Sequence, residues 1–426
     1  MRPGARLAAA MEILTDLDTR HRPASDAVKD WMLSHRFAGS KDRADIGDTV
    51  FGALRWKASS AWRLGDDTPR AWVLGASRWG FGVEPDALEA SFVDDPHAPE
   101  PLSENERIAL RTATLDEAPP WVRGDYPQWL DEAFARAFGD WRAEEGAALA
   151  APAPLDLRAN TLKTTRERLS AALVESPRLK TELALTPYAE HGVRIPWSRG
   201  GSFPFAAEQS FQKGWFEVQD EGSQLAVELS GAEPGMQVAD VCAGGGGKTL
   251  ALAAAMDNKG QIYAFDVDGR RLAPLNERLD RASAHNVQIR APARSRDVLA
   301  DLHGKMDVVF VDAPCTGSGT WRRNPDAKWR LRHAALETRR REQREALALA
   351  APLVKPGGRL MYVTCSVLPQ ENDDAIAAFL KEHADFVRAP LQGADRFPAH
   401  KRGEALQLTP RETGCDGFFI AALTRA

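Results

Sequence analysis

Cysteine and long apolar runs are both scarce in this chain of 426 residues. Its four cysteines stand far apart, with no C-x-x-C spacing, which argues against a zinc site or a disulfide framework and for a reducing compartment. No apolar run approaches the ~18 residues that a membrane-spanning helix needs. Acidic residues close to the N-terminus interrupt any signal-peptide core. We therefore expect a cytoplasmic protein, a monomer, with no metal and no membrane partner.

An overall excess of positive charge is also missing, because the formal net charge is −5. The charge is unevenly distributed, however. Residues 1–150 contain 18 Lys and Arg against 26 Asp and Glu, whereas residues 321–344 contain nine basic against three acidic residues. A local basic segment matters more for binding a polyanion than the total charge does. A nucleic-acid partner is therefore compatible with the composition.

The chain is too long for one hydrophobic core, so several domains are expected. Residues 1–148 show helical spacing of apolar residues, including one helix from Gln128 to Glu145, and residues 149–215 read as a small α+β region. From residue 216 strands and helices alternate, which predicts a parallel sheet with helices on both faces. We expect five parallel strands closed by an antiparallel pair, near 238–241, 261–266, 287–290, 307–312, 359–364, 404–409 and 417–423.

A run of four glycines, Gly244–Gly247, lies between a predicted strand that ends at Asp240 and a predicted helix that begins at Leu250. Strand, glycine turn and helix is the order that brings backbone N–H groups close to a nucleotide-like ligand. A P-loop would need a glycine where Cys242 stands, and a dinucleotide fingerprint would need one at Thr249. Both phosphate-binding patterns are therefore excluded.

The acidic residue that fits this turn is Asp266, about twenty residues further on, at the end of the next predicted strand. A carboxylate there can accept hydrogen bonds from ribose hydroxyls. A glycine turn and an acid without a phosphate pattern suit an adenosyl ligand that lacks phosphates, such as S-adenosylmethionine. Lys248 directly follows the glycines, and we expect it to contact the same ligand.

Two cysteines follow predicted strands, Cys315 after Asp312-Ala313-Pro314 and Cys365 after Thr364. Strand ends of a parallel sheet face the ligand crevice, so both thiols are expected beside the methyl donor. A thiolate that adds to C6 of a pyrimidine makes C5 nucleophilic enough to take a methyl group. A carboxylate near N3 assists that addition, and Asp312 is suitably placed. The residues alone do not decide which cysteine is the nucleophile.

A set of motifs in residues 151–426 resembles the Sun/Fmu (RsmB-type) family of RNA cytosine-5 methyltransferases. The resemblance implies an α/β fold, with a class I (Rossmann-like) S-adenosylmethionine-dependent methyltransferase domain at 216–426. Residues 48–55 resemble, more weakly, the NusB-like helical RNA-binding domain, which would occupy 1–148 as an all-α domain. The motifs are 219–224, 240–249, 312–315, Pro325-Asp326, Lys328-Trp329, 364–366, Pro369, Glu371-Asn372 and 416–419.

By that resemblance, Cys365 is the nucleophile that attacks cytosine C6, and Cys315 assists release of the product. The substrate would be structured RNA, most simply 16S ribosomal RNA, and Asp312 would serve both catalysis and cofactor binding. The residues implied to hold S-adenosylmethionine are Cys242, Ala243, Gly244, Gly245, Gly246, Gly247, Lys248, Asp266 and Asp312.

The basic segment that follows the Cys315 loop is expected to contact RNA through Arg322, Arg323, Lys328 and Trp329, because arginines interleaved with tryptophans suit phosphates and unstacked bases. Two features depart from the family pattern. The family usually has Ala-Pro-Gly-Gly where Gly244–Gly247 stand, and Pro292 stands about where an acid usually contacts the adenine side. This keeps two alternatives open. One is an inactive RNA-binding or ribosome-assembly factor with the same fold, and the other is an enzyme acting on another substrate, such as DNA.

Overall fold

The structure is a computed structural model that describes residues 1–201, 203–293, 297–397 and 400–426. The chain forms two compact units. The helical unit contains Met1–Pro152 together with two later segments, Ser198–Ser202 and Trp321–Leu331, and the remaining residues form the α/β unit. The predicted boundaries after residues 148 and 215, and the NusB-like nature of the first domain, stay predictions.

The helical unit is built from short helices around one apolar core. Leu14, Ile46 and Val50 are among the residues fully buried there. The helix predicted from Gln128 to Glu145 is wrong as a single helix, because the chain breaks at Gly139, whose φ is +57°. The helices are α1 (Pro3–Arg20), α2 (Ala24–Ser34), α3 (Ser40–Arg55), α4 (Lys57–Leu64), α5 (Pro69–Gly75), α6 (Pro85–Ala90), α7 (Glu104–Thr112), α8 (Pro120–Arg123), α9 (Asp131–Phe138) and α10 (Arg142–Ala150).

The remaining helices belong to the α/β unit, except for α16, which lies in the helical unit. No helix among the described residues is long and apolar enough to cross a membrane. These helices are α11 (Arg166–Val174), α12 (Gln209–Gln212), α13 (Glu221–Glu228), α14 (Gly247–Ala255), α15 (Leu275–Ala282), α16 (Pro325–Arg330), α17 (His333–Ala350), α18 (Asp373–Glu382) and α19 (Pro410–Thr413).

The α/β unit contains two sheets. The first is antiparallel, with strands in the order β2-β3-β1-β4, and the second has the order β11-β12-β13-β9-β8-β5-β6-β7, with β10 also paired to β13. The strands are β1 (Leu155–Ala159), β2 (Ala184–Leu185), β3 (Gly192–Ile195), β4 (Phe216–Val218), β5 (Gln237–Asp240), β6 (Gln261–Phe265), β7 (Val287–Arg290), β8 (Met306–Asp312), β9 (Val354–Thr364), β10 (Phe386–Ala389), β11 (His400–Arg402), β12 (Ala405–Leu408) and β13 (Phe418–Arg425).

The large sheet confirms the predicted α/β fold. Strands β7, β6, β5, β8 and β9 are parallel, and β12 and β13 form the antiparallel pair that closes them. The sequence did not predict β10 and β11, which are short strands at the antiparallel end. The strand order reverses beside β5, because β6 and β8 lie on its two sides. A reversal of this kind opens a crevice at the carboxyl ends of the strands.

Candidate active site

Two thiols meet at the carboxyl edge of the large sheet. β8 and β9 are parallel neighbours, with Asp312 opposite Val363, so the loops that follow them start side by side. The Sγ atoms of Cys315 and Cys365 are 3.3 Å apart, and both side chains are half-buried. The structure therefore brings together the two cysteines that the sequence predicted at this edge.

The hydrogen bond between the two sulfur atoms affects the Cys315 thiol. It raises the pKa of the Cys315 thiol well above its ordinary value, and burial raises that pKa further. Either sulfur can be the donor of this hydrogen bond. The geometry therefore places the two thiols close enough to exchange a proton.

A lysine–aspartate pair lies in the same crevice. The Lys248 ammonium donates to Asp312 Oδ2 over 2.6 Å. Burial lowers the pKa of Lys248, but the charge and the hydrogen bond of Asp312 outweigh that effect, so the pKa is raised. Lys248 is therefore a cation at neutral pH, held at the end of β8 by a carboxylate that is itself about one-third exposed.

The glycine turn follows β5 at the point where the strand order reverses. Gly244 and Gly246 have φ values of +52° and +85°, which side-chain-bearing residues rarely adopt. The turn is tied to β6 because the Ala243 N–H donates to the Phe265 carbonyl. α14 begins directly at Gly247, so the first, unpaired N–H groups of a helix lie at the turn. The predicted cradle of backbone groups is thus present.

Carboxylates lie beneath and beside this turn. Asp266 is buried, accepts the Gly244 N–H over 3.0 Å and pairs with the Arg271 guanidinium over 3.2 Å. Asp240 is fully buried; its Oδ2 accepts from the Thr249 hydroxyl, while its Oδ1 has no hydrogen-bond partner among the described residues. Burial raises the pKa of Asp240 to about 7. Cys242 is half-buried beside them, and burial raises the pKa of its thiol.

The residues present fit an adenosyl ligand. Gly246 packs tightly against Leu275, because a Cβ at position 246 would lie 2.1 Å from that side chain, whereas a Cβ at Gly247 would meet nothing within 4 Å. The orphaned Asp240 Oδ1 and the Asp266 carboxylate offer acceptors at the ends of β5 and β6. On the side of β7, Pro292 packs beside Gly269 and supplies no acid. Within the described residues, no group of His, Cys, Asp or Glu is arranged to hold a metal ion.

One site residue was quoted in a motif but given no role by the sequence, Glu371. It is fully buried, and its carboxylate accepts hydrogen bonds from Thr316 and Ser366, the residues that follow the two cysteines. The available signal was its position six residues after Cys365. Sequence spacing alone could not show that the same carboxylate also reaches the Cys315 loop.

The first part of the basic segment, Trp321–Leu331, belongs to the helical unit. Lys328 is 1% exposed and Arg322 is 4% exposed in the helical unit. The Lys328 ammonium donates to the Arg55 carbonyl, and the Arg55 guanidinium donates to the Arg322 carbonyl. Trp329 donates its indole N–H to the Leu54 carbonyl. The side chains of Lys328 and Arg322 are thus packed in the core of the helical unit, and their contact with RNA stays a prediction. Arg323 is half-buried, and its contact with RNA stays a prediction, as does that of Trp329.

A parallel sheet with a glycine turn at its strand reversal, an acid after the next strand and no phosphate pattern defines a class I S-adenosylmethionine-dependent methyltransferase. The family model described as 16S rRNA methyltransferase RsmB/F matches residues 228–424.

Two curated relatives support the same family. The "Probable ribosomal RNA small subunit methyltransferase B" of Synechocystis sp. is 34% identical over 306 residues, which cover 71% of this chain and 67% of the relative. The ribosomal RNA small subunit methyltransferase B of Thermus thermophilus is 29% identical over 443 residues, 100% of this chain and 99% of the relative. A crystal structure of a methyltransferase homolog protein from Pyrococcus horikoshii is 28% identical, with a TM-score of 0.59 over 72% of this chain and 98% of that chain. The chain belongs to the RsmB/F family of 16S rRNA methyltransferases.

Proposed function

We propose that this enzyme methylates C5 of a cytosine in 16S ribosomal RNA through a covalent bond between Cys365 Sγ and cytosine C6. The observation that carries the proposal is the 3.3 Å contact between the sulfur atoms of Cys315 and Cys365 in the crevice that holds the Lys248–Asp312 pair. Binding of RNA alone would need neither thiol. The relatives' names supply the substrate class.

The first role belongs to Cys365. Its thiolate gives an electron pair to C6, and the π electrons of the C5–C6 bond become available at C5. As negative charge develops on the ring, the Lys248 ammonium, which is hydrogen-bonded to Asp312, gives up a proton that passes through the Asp312 carboxylate to N3, so that the ring does not accumulate a full negative charge. S-adenosylmethionine, when bound, supplies the methyl group.

The second role belongs to Cys315. After methylation a solvent water molecule accepts the C5 proton, the electron pair of the C5–H bond forms the C5=C6 double bond again, and the electron pair of the S–C6 bond returns to Cys365. Cys315 lies within hydrogen-bond distance of the Cys365 sulfur, so it is placed to assist this departure. We assign the cofactor to the glycine turn with Cys242, Lys248, Asp266 and Asp312.

The helical unit is proposed to bind RNA and to act together with the α/β unit in a monomer. We place the reaction in the cytoplasm. None of the four cysteines forms a disulfide in the structure, and two of them are needed as thiols, which a reducing compartment preserves.

A tritiated methyl-transfer assay on 16S RNA and on 30S particles tests the proposal. We expect transfer by the wild-type protein, and none by Cys365→Ala. Cys315→Ala should accumulate a covalent protein–RNA complex on denaturing gels, because release is impaired. A complex retained in Cys365→Ala and lost in Cys315→Ala would reverse the two roles. Bisulfite sequencing of rRNA from a deletion strain then identifies the nucleotide.

Absence of methyl transfer by the wild-type protein would favour the second candidate function. If it binds S-adenosylmethionine and RNA but transfers no methyl group to naked RNA, to particles or to DNA, it acts as an RNA-binding factor. The variant Pro292→Asp tests the cause of such inactivity. If this variant transfers the methyl group, the wild-type protein is inactive because it lacks the acid that usually contacts the adenine side.

A further inference from the structure

Glu371 connects the two loops that carry the cysteines. It lies in a 3₁₀ turn, Pro369–Glu371, shortly after β9, and is fully buried. Oε1 accepts the Thr316 N–H over 2.8 Å, and Oε2 accepts the Thr316 hydroxyl and the Ser366 hydroxyl, each over 2.5 Å. Since Thr316 follows Cys315 and Ser366 follows Cys365, a single carboxylate joins the neighbours of both thiols.

Two further side chains hold Glu371 in place. The Gln343 side-chain amide of α17 donates to Glu371 Oε1 and to the Pro314 carbonyl, both over 3.0 Å. The Tyr362 hydroxyl of β9 donates to the Glu371 carbonyl over 2.6 Å. The Thr316 N–H, the Thr316 and Ser366 hydroxyls and the Gln343 amide all donate to the carboxylate. An ionised carboxylate can accept all four hydrogen bonds, whereas a glutamine amide could accept only some of them.

The charge of Glu371 also acts on the Cys315 thiol. It is one of the causes that raise the pKa of Cys315, after the hydrogen bond to Cys365, burial and the charge of Cys365. Removing a nearby negative charge makes loss of a proton easier. An uncharged residue at position 371 should therefore make Cys315 ionise more readily, even where the loops keep their positions.

We propose that Glu371 is a positioning residue whose carboxylate holds the two cysteine loops together and thereby sets the contact between the two sulfur atoms. The catalytic meaning of this role rests on the proposed function. The residue itself does not touch the cytosine in this proposal.

The test is alkylation of the full-length protein by iodoacetamide between pH 7 and pH 10, with each cysteine quantified by peptide mass spectrometry. In Glu371→Gln we expect the Cys315 profile to move to lower pH, with a rate at pH 8 about fivefold higher than in the wild type. Glu221→Gln is the matched control, because Glu221 is also fully buried and accepts backbone N–H groups from Tyr188 and Ala189. It should keep the wild-type profile.

An unchanged Cys315 profile in Glu371→Gln, or the same change in Glu221→Gln, would overturn the proposal. Thr316→Val is a second variant in case Glu371→Gln does not fold, because it removes one hydroxyl that joins the Cys315 loop to the carboxylate and keeps the charge of Glu371. The Cys315 loop should loosen, so we expect faster alkylation of Cys315 at every pH, without a shift of its profile to lower pH. Methyl transfer separates this inference from the proposed function. A changed profile in the variant, with no transfer by the wild type to any RNA, would refute the function and leave the positioning role standing.

Discussion

At the scale of single residues, the site depends on charges that are held in place before any substrate arrives. The Lys248–Asp312 hydrogen bond is the clearest case. The lysine side chain is only 12% exposed, so it loses hydration, and the aspartate restores a favourable environment for its charge. Lys248 in turn fixes the carboxylate that is proposed to act at N3.

Replacing Lys248 by methionine should therefore lower kcat for methyl transfer by about a hundredfold, because Asp312 loses its cation and its orientation. Steady-state kinetics on 16S RNA measure the effect. The control is Lys259→Met, since the Lys259 side chain is 67% exposed and forms its ion pair with Asp257, which is itself exposed. Equal activity of Lys248→Met and the wild type would remove Lys248 from the site.

At the scale of elements, the strand–turn–helix unit β5–α14 decides where the cofactor can lie. Its shape depends on backbone conformation more than on side chains. Gly246 combines a φ of +85° with a close approach to Leu275, so two independent reasons exclude a side chain there. Gly247 has neither restriction, because nothing lies within 4 Å of the position where its Cβ would be.

Gly246→Ala should destabilise the protein by about 2 kcal/mol, through the strained φ and the clash with Leu275. It should also weaken S-adenosylmethionine binding. Gly247→Ala should keep the wild-type Tm. Thermal denaturation and calorimetric titration with S-adenosylmethionine measure both properties. A Tm for Gly246→Ala equal to that of Gly247→Ala would show that the turn relaxes without cost.

At the scale of the whole molecule, the chain order and the spatial order differ. The segment Trp321–Leu331 follows the Cys315 loop in sequence but packs in the helical unit. Trp321 stacks on Phe134 with ring centroids 5.9 Å apart, and Lys328 lies near Asp125. Burial raises the pKa of Asp125 to about 6 and lowers that of Lys328 to about 7.

This pair gives the helical unit a pH-dependent stability. Because the pKa of Lys328 is lowered on folding, the folded unit binds that proton less tightly than the unfolded chain does. Its contribution to stability is therefore present at high pH and is lost as the pH falls from about 10 towards 7. The slope is at most about 1.4 kcal/mol per pH unit.

Denaturation by urea at pH 7.5 and pH 9.5 checks this prediction. The free energy of unfolding of the wild type should rise with pH more steeply than that of Lys328→Met. Lys328→Met and Asp125→Asn should each be destabilising by about 3 kcal/mol near neutral pH. The double variant should lose less than their sum. Parallel pH profiles in the wild type and Lys328→Met would contradict the assignment.

The sequence by itself determined the α/β fold, the glycine turn and the strand ends, because strand–helix alternation and strand-end chemistry are local patterns. It also determined which residue types could perform the chemistry. Only the tertiary structure decided what depends on contacts between distant segments. It placed Lys328 inside a core by packing it against α3, it brought the sulfur atoms of Cys315 and Cys365 to 3.3 Å from each other, and it brought Glu371 to both loops. Periodicity and spacing carry no information about such contacts. Each contact joins two segments that are far apart in the chain, and no helix or strand repeat determines their separation.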